Sequence, residues 1–132
     1  MISEFELSTE RENFYSITSQ VREAVKRSGV TQGICLVFCP HTTAGITINE
    51  NADPDVVHDM LIGLNQAYPD RKEFCHMEGN SHAHLKASAV GSSACIPIDG
   101  GQLVLGRWQG IYFCEFDGPR RRKFYVKVMK DE

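Results

Sequence analysis

The feature that most constrains the fold is the last third of the chain. Two turn sequences, Asp99-Gly100-Gly101 and Asp117-Gly118-Pro119, punctuate four strand-like runs at 93–97, 102–105, 109–116 and 123–129. Asp-Gly-Gly between two such runs is a hairpin signal, because glycine supplies the positive φ that a tight hairpin turn needs. Asp-Gly-Pro is a second turn. A chain that ends this way must build much of its core from antiparallel strands.

The upstream residues add strands and helices in alternation. Residues 3–9 alternate through Phe5 and Leu7 and read as a strand. Phe14, Tyr15 and Ile17 suggest another. Thr18 or Ser19 is placed to cap a helix carrying Val21, Ala24 and Val25, with Gly29 as its stop. The run 33–39 (GICLVFC) reads as a buried strand, and 45–48 continues as the next. Asp53-Pro54 opens a helix: a carboxylate caps the free N–H groups, and proline takes a position where its missing N–H costs nothing. Val57, Met60, Leu61 and Leu64 then form the stripe of a helix packed on one face. Residues 70–80 read as a polar loop, and 81–88 as a short helix closed by Gly91. The expectation is an α+β fold in which helices pack on an antiparallel-rich β-sheet.

The 132 residues form one domain, 1–132. A (β/α)₈ barrel takes about 250 residues, so that class is excluded. Fourteen Lys and Arg against seventeen Asp and Glu give a net charge of −3, without the basic excess of a nucleic-acid binder. No apolar run approaches the roughly 20 residues of a membrane span, and residues 1–10 lack a signal-peptide pattern. Five cysteines with no C-x-x-C pair suggest reduced thiols and a cytoplasmic location.

Three histidines stand out. His41 follows the buried strand, His58 lies beside the apolar stripe of the Asp53-Pro54 helix, and His84 lies on the 81–88 helix. Neutral imidazole ligates zinc and also serves as a general acid or base near neutral pH. The bland alternative is three unrelated histidines. His82 and His76 are weaker candidates, the first because helical spacing points it away from His84, the second because it lies in a loop. Beside His41, Asn49, Glu50, Asn51, Asp53 and Asp55 offer oxygen ligands for Mg²⁺ or partners that orient a histidine, and Glu50 is favoured for function. Arg120, Arg121, Arg122 and Lys123 either bind phosphate or form a solvated strand end. Trp108, the only tryptophan, either stacks on a ligand ring or packs in the core. Cys35 and Cys39 read as small apolar residues, with a Cys39–His41 nucleophile as a minor alternative.

The run from His41 to Asn51, with Asp53-Pro54 and His58-Asp59-Met60, resembles the YjbQ family. So do the segments from Ala83 to Ser88, from Leu105 to Ile111 and from Glu115 to Arg120. Arg107 departs from the pattern, since a small hydroxyl residue usually precedes the tryptophan. The resemblance implies an α+β fold, a homotrimer, and a pocket near the subunit boundary. It implies a metal-assisted enzyme acting on a small phosphorylated metabolite, with secondary thiamine-phosphate synthase (transferase) activity. That reaction joins a pyrimidine diphosphate to a thiazole phosphate and releases pyrophosphate. On this reading His41, Glu50 and His84 are catalytic, and His41, His58 and His84 hold a divalent metal, zinc or magnesium. Asn49, Lys86, Ser88, Trp108, Gln109 and Arg120 bind the substrate. The alternatives are a non-catalytic trimeric ligand-binding protein and a zinc-dependent hydrolase. No nucleic-acid or membrane partner is expected.

Overall fold

The computed structural model describes residues 2–132. Eight strands and three helices follow the order β1 (Ile2–Thr9), β2 (Asn13–Ser16), α1 (Thr18–Ser28), β3 (Gln32–Phe38), β4 (Ala44–Glu50), α2 (Pro54–Ala67), α3 (Ser81–Val90), β5 (Ser93–Asp99), β6 (Gln102–Leu103), β7 (Gln109–Glu115) and β8 (Arg120–Lys130). The α+β expectation holds, with one change: the strands form two sheets. One runs β1-β8-β3-β5-β6 and the other β2-β7-β4, and every pairing is antiparallel.

The two turn sequences do different work. Asp99-Gly100-Gly101 closes a hairpin in which Asp99 faces Gln102. Gly100 and Gly101 have φ of 58° and 77°, so both central positions sit where side chains are strained and glycine is not. Asp117-Gly118-Pro119 instead carries the chain from one sheet to the other, so β7 and β8 do not pair with each other.

Burial explains why β7 is free of polar side chains other than a tyrosine hydroxyl between Gln109 and Glu115. Alternate strand residues face opposite sides, and both sides of β7 are covered. Ile111 and Phe113 join Val21 and Val25 of α1, Cys35 and Val37 of β3, and Phe124 and Val126 of β8 in the larger core. Tyr112 and Cys114 point the other way, with Phe14, Phe116, Ala83 and Ala87, into a second cluster. The expected stripe of α2, Val57, Met60, Leu61 and Leu64, packs on that second cluster but stays half-buried.

The helix ends follow the sequence in part. Asp53 caps α2, its Oδ1 accepting the Asp55 N–H at 2.9 Å, with Pro54 in the first turn. Gly29 ends α1 with φ 70°. The expected hydroxyl cap of α1 does not form: Ile17 holds the cap position. Thr18 Oγ1 accepts the Ile111 N–H at 2.9 Å, fastening the helix to β7. Helix α3 runs two residues further than expected, to Val90.

A cleft between the β3–β4 loop and helix α3

The residues between β3 and β4 carry His41, and β8 holds them in place. The Lys123 N–H donates to His41 Nε2 at 2.9 Å. One residue earlier, Arg122 donates from Nη2 to Thr43 Oγ1 at 2.8 Å. The same guanidinium forks onto Glu115, with Nε to Oε1 at 2.7 Å and Nη2 to Oε2 at 2.5 Å. Glu115 also accepts from Thr9 Oγ1 at 2.6 Å and from the Asp117 N–H at 2.9 Å. Glu115 is 0% exposed and Arg122 5%. A desolvated carboxylate persists when nearly every lone pair is satisfied and a cation is in contact, and that condition is met. Burial works to raise the Glu115 pKa, but the hydrogen bonds from Arg122, Thr9 and Asp117 outweigh it and hold the carboxyl below its ordinary value.

Helix α3 closes the other side. Small buried residues, Ala83 and Ala87, let it lie against β4. Gly45 allows the closest approach: a Cβ there would stand 2.6 Å from the Gly91 carbonyl oxygen, which accepts the Ile46 N–H at 3.0 Å. The resulting open cleft of about 480 Å³ is lined by His41, Thr42, His84, Ser88, Gly91 and Ser92, among others. The rings of His84 and His76 meet edge to face, 5.5 Å between centroids. Burial first, and then the Arg122 charge, lower the pKa of His41. A ring that accepts at Nε2 carries its neutral-form proton on Nδ1. His41 is therefore a neutral imidazole whose other nitrogen is a donor.

The expected site residues divide. His41, His84 and Ser88 share this cleft. His58 does not join them: it lines a different cavity with Asn51 and Asp53, and its Nδ1 lies 3.1 Å from Asp59 Oδ1. Asn49 and Glu50 sit at the far end of β4. Ala44 faces Glu115 whereas Glu50 faces Gln109, which separates the two ends by roughly 20 Å of extended strand. The Asn49 side chain accepts its neighbour's N–H, Glu50 N, at 2.7 Å.

Several expected substrate contacts are engaged elsewhere. Lys86 is 1% exposed and points away from the cleft, donating to Glu12 Oε2 at 2.6 Å and Asn65 Oδ1 at 2.5 Å. Arg120 binds Asp117, through its carbonyl at 2.9 Å and its carboxylate at 2.8 Å, and lies 3.5 Å from Glu78. Gln109 Oε1 accepts the Gly106 N–H at 2.7 Å. Trp108 is 55% exposed, so the core-packing alternative fails, and the Arg107 guanidinium lies 5.0 Å from its ring centroid. The departure at Arg107 thus has a local role, covering the tryptophan. The basic block is not uniformly solvated either, because Arg122 is buried.

A metal on His41, His58 and His84 does not fit one chain. Among the described residues no three His, Cys, Asp or Glu side chains come together as ligands, and the lone pair of His41 Nε2 is taken by Lys123. Nor does Cys39 suit a nucleophile: burial, above all, raises its thiol pKa and disfavours the thiolate.

The residues that sequence reasoning missed are Thr43 and Glu115; Arg122 stood out only as one of the basic block, not as the partner of a buried carboxylate. A signal existed: Glu115 ends an otherwise apolar strand, and a carboxylate there needs a cation beside it.

Comparison with known proteins places this geometry in a lineage. The family model described as "UPF0047 protein YjbQ-like" matches residues 3–131. UPF0047 protein YugU of Bacillus subtilis is 54% identical over 92% of this chain and 93% of its own length. UPF0047 protein MJ1081 of Methanocaldococcus jannaschii is 50% identical over 100% of this chain and 96% of its own. A crystal structure of an uncharacterised YjbQ/UPF0047 protein from Clostridium acetobutylicum is 57% identical, covering 96% of this chain and 99% of that one, with a TM-score of 0.94. A protein of unknown function from Sulfolobus solfataricus, 34% identical, covers 99% of this chain and 97% of that one with a TM-score of 0.95. With sequence and overall fold agreeing along nearly its whole length, the chain belongs to the YjbQ-like UPF0047 family.

Proposed function

We propose that the cleft between the β3–β4 loop and α3 binds a small phosphorylated molecule and that the chain is an enzyme using His41 and His84 to move protons. The observation that carries this reading is that two histidines line one open cleft together with Thr42, Ser88 and Ser92. Hydroxyls and ring N–H groups donate to phosphate oxygens. A neutral imidazole is also matched to proton transfer near neutral pH.

Secondary thiamine-phosphate synthase activity is the transfer to assay, because the family resemblance names it. Binding a diphosphate and protonating the departing pyrophosphate are the steps these side chains could serve. A divalent cation accompanying the diphosphate would need ligands from outside this one cleft, and no step here depends on it. The zinc-hydrolase reading loses support because its three histidines do not share a site. A cytoplasmic location remains part of the proposal. No helix among the described residues is long and apolar enough to cross a membrane.

The test compares wild type, His41→Ala and His84→Ala. Thiamine phosphate formed from the two phosphorylated precursors is measured, and pyrophosphate binding is followed by calorimetry. Each variant is expected to lose about 100-fold or more in rate, the usual size of acid–base catalysis. Full activity and unchanged pyrophosphate binding in both would reject the site. Binding without turnover in wild type would favour the ligand-binding alternative.

A homotrimer is part of the same proposal. No residue of α2 is fully buried, and Ile62 and Leu85 are 45% and 41% exposed. A subunit contact over α2 and α3 would cover these side chains. Light scattering on the purified chain is expected to give a mass three times that of one chain; a monomer mass at micromolar concentration would refute it.

A further inference from the structure

The loop before α3 brings a further histidine to the rim of the cleft. His76 and His84 meet edge to face, with 5.5 Å between ring centroids and 81° between ring planes. Aromatic packing allows that spacing, and a shared metal requires nearly the same one. Zinc–nitrogen bonds of about 2.0 Å at a tetrahedral angle bring two imidazole centroids roughly 5 Å apart. Among the described residues no hydrogen bond engages either ring, in contrast to His41, whose Nε2 accepts the Lys123 N–H. Both imidazoles are therefore free to ligate.

A carboxylate stands beside the pair and is held from behind. Glu78 Oε2 accepts from Asn80 Nδ2 at 3.3 Å and lies 3.5 Å from Arg120 Nη2. Its Oε1 faces His76 Nε2 at 3.9 Å. That is too long for a hydrogen bond, and about half an ångström longer than the separation of two donor atoms on one zinc ion. Both side chains are exposed, so a small pivot about the held oxygen closes the difference. Partners that fix one carboxylate oxygen and leave the other free are the usual support of a metal ligand.

The backbone under these groups is built rather than loose. The Gly79 N–H donates to the His76 carbonyl at 3.0 Å, and Gly79 takes φ 74° to close that turn. Asn80 is 7% exposed and also donates to Asp117 Oδ2 at 2.7 Å, tying the end of the loop to the turn before β8. Among the described residues no three His, Cys, Asp or Glu side chains already close on one point. Two imidazoles are preset, and the carboxylate completes the set on binding.

We propose that His76 and His84, joined by Glu78, form a binding site for a zinc-type divalent ion at the rim of the His41–His84 cleft. Two imidazoles and a carboxylate suit zinc, cobalt or nickel, whereas magnesium prefers oxygen ligands. Three protein ligands leave a fourth position open. Because His84 also lines the cleft, that position adjoins it and takes a phosphate oxygen. Only this fourth ligand rests on the phosphate reading of the cleft; the three protein ligands do not.

The experiment titrates the full chain at neutral pH with cobalt(II), followed by its visible absorption, and with zinc, followed by calorimetry. One ion per chain is expected, with a zinc dissociation constant of about 10 µM or below. His76→Ala and His84→Ala are each expected to weaken zinc by about tenfold or more. His58→Ala, which lies in a separate cavity, is expected to bind as the wild type does. Three outcomes overturn the proposal: a dissociation constant above roughly 1 mM, unchanged affinity in both His76→Ala and His84→Ala, or loss of binding in Cys75→Ser alone, which would put the ion on the exposed thiol. Inorganic phosphate is expected to alter the cobalt absorption without removing the ion. A cobalt spectrum indifferent to phosphate would count against the phosphate reading of the cleft and leave the metal site standing.

Discussion

Replacing Arg122 with methionine is expected to destabilise the fold by about 3–5 kcal/mol, because it leaves a buried carboxylate without its cation. Glu115 would keep only the Thr9 hydroxyl and the Asp117 N–H. For a domain of this size the loss corresponds to a fall in Tm of roughly 10–20 °C. Urea unfolding at pH 7 measures it, and a change below about 1 kcal/mol would show the pair to be energetically idle. The double variant Arg122→Met/Glu115→Leu is expected to recover most of the loss, since a packed apolar pair commonly matches a buried ion pair.

The pH dependence follows from the same contacts. The Glu115 pKa is depressed in the folded state. Its contribution is therefore fully present above the ordinary glutamate value, about 4.3. It is lost as pH falls from there through the folded value, where the unfolded chain binds more protons. Glu115→Gln is expected to flatten the acid limb of the stability curve below about pH 4.

Lys86→Ala is expected to cost about 2–4 kcal/mol, through a cavity at the stem and a weakened ion pair at its tip. Lys86 Nζ joins three elements: α3, Asn65 on α2, and Glu12 in the β1–β2 connection. Asn65 completes the bridge by donating to Glu12 Oε1 at 2.8 Å. Glu12 is 28% exposed and recovers some hydration in the variant, which keeps the estimate below that for Arg122. The distinctive effect should be regional. Helix α2 has no fully buried residue, so this polar tie adds to a half-buried apolar stripe in holding it. Amide exchange is expected to accelerate in α2 while β3 stays protected at low denaturant. Uniform acceleration across both would contradict the local role. Lys86→Met, which keeps the stem, separates packing from charge.

Local patterns made most elements legible in the sequence. The Asp-Gly-Gly hairpin, the Asp53-Pro54 helix start and the Gly29 stop rest on backbone demands that few other residues meet. Pairing between distant segments was not legible. Nothing local says that β7 and β8, joined by a short turn, belong to different sheets, because that choice is made by packing on both faces of β7. The candidate site was half legible for the same reason. His41 and His84 line one cleft because α3 packs on β4. The intervening His58 is carried away by α2, which starts at the opposite end of the same strand. Lys86 sits on the inward face of its helix, and helical phase alone could not say which face that was.

The position of β8 has a consequence for how the chain comes to be folded. It lies between β1 and β3, so the first strand pairs with one almost at the other terminus, Ile2 opposite Lys127. During synthesis β1 and β3 emerge early and stay without their shared neighbour until β8 leaves the ribosome. Until then both present open hydrogen-bonding edges, and the Glu115 carboxylate has no guanidinium to meet. Contacts spanning nearly the full chain also make loop closure costly and folding slow. Shortening β8 would therefore cut β1 off from β3, β5 and β6 rather than trim an edge.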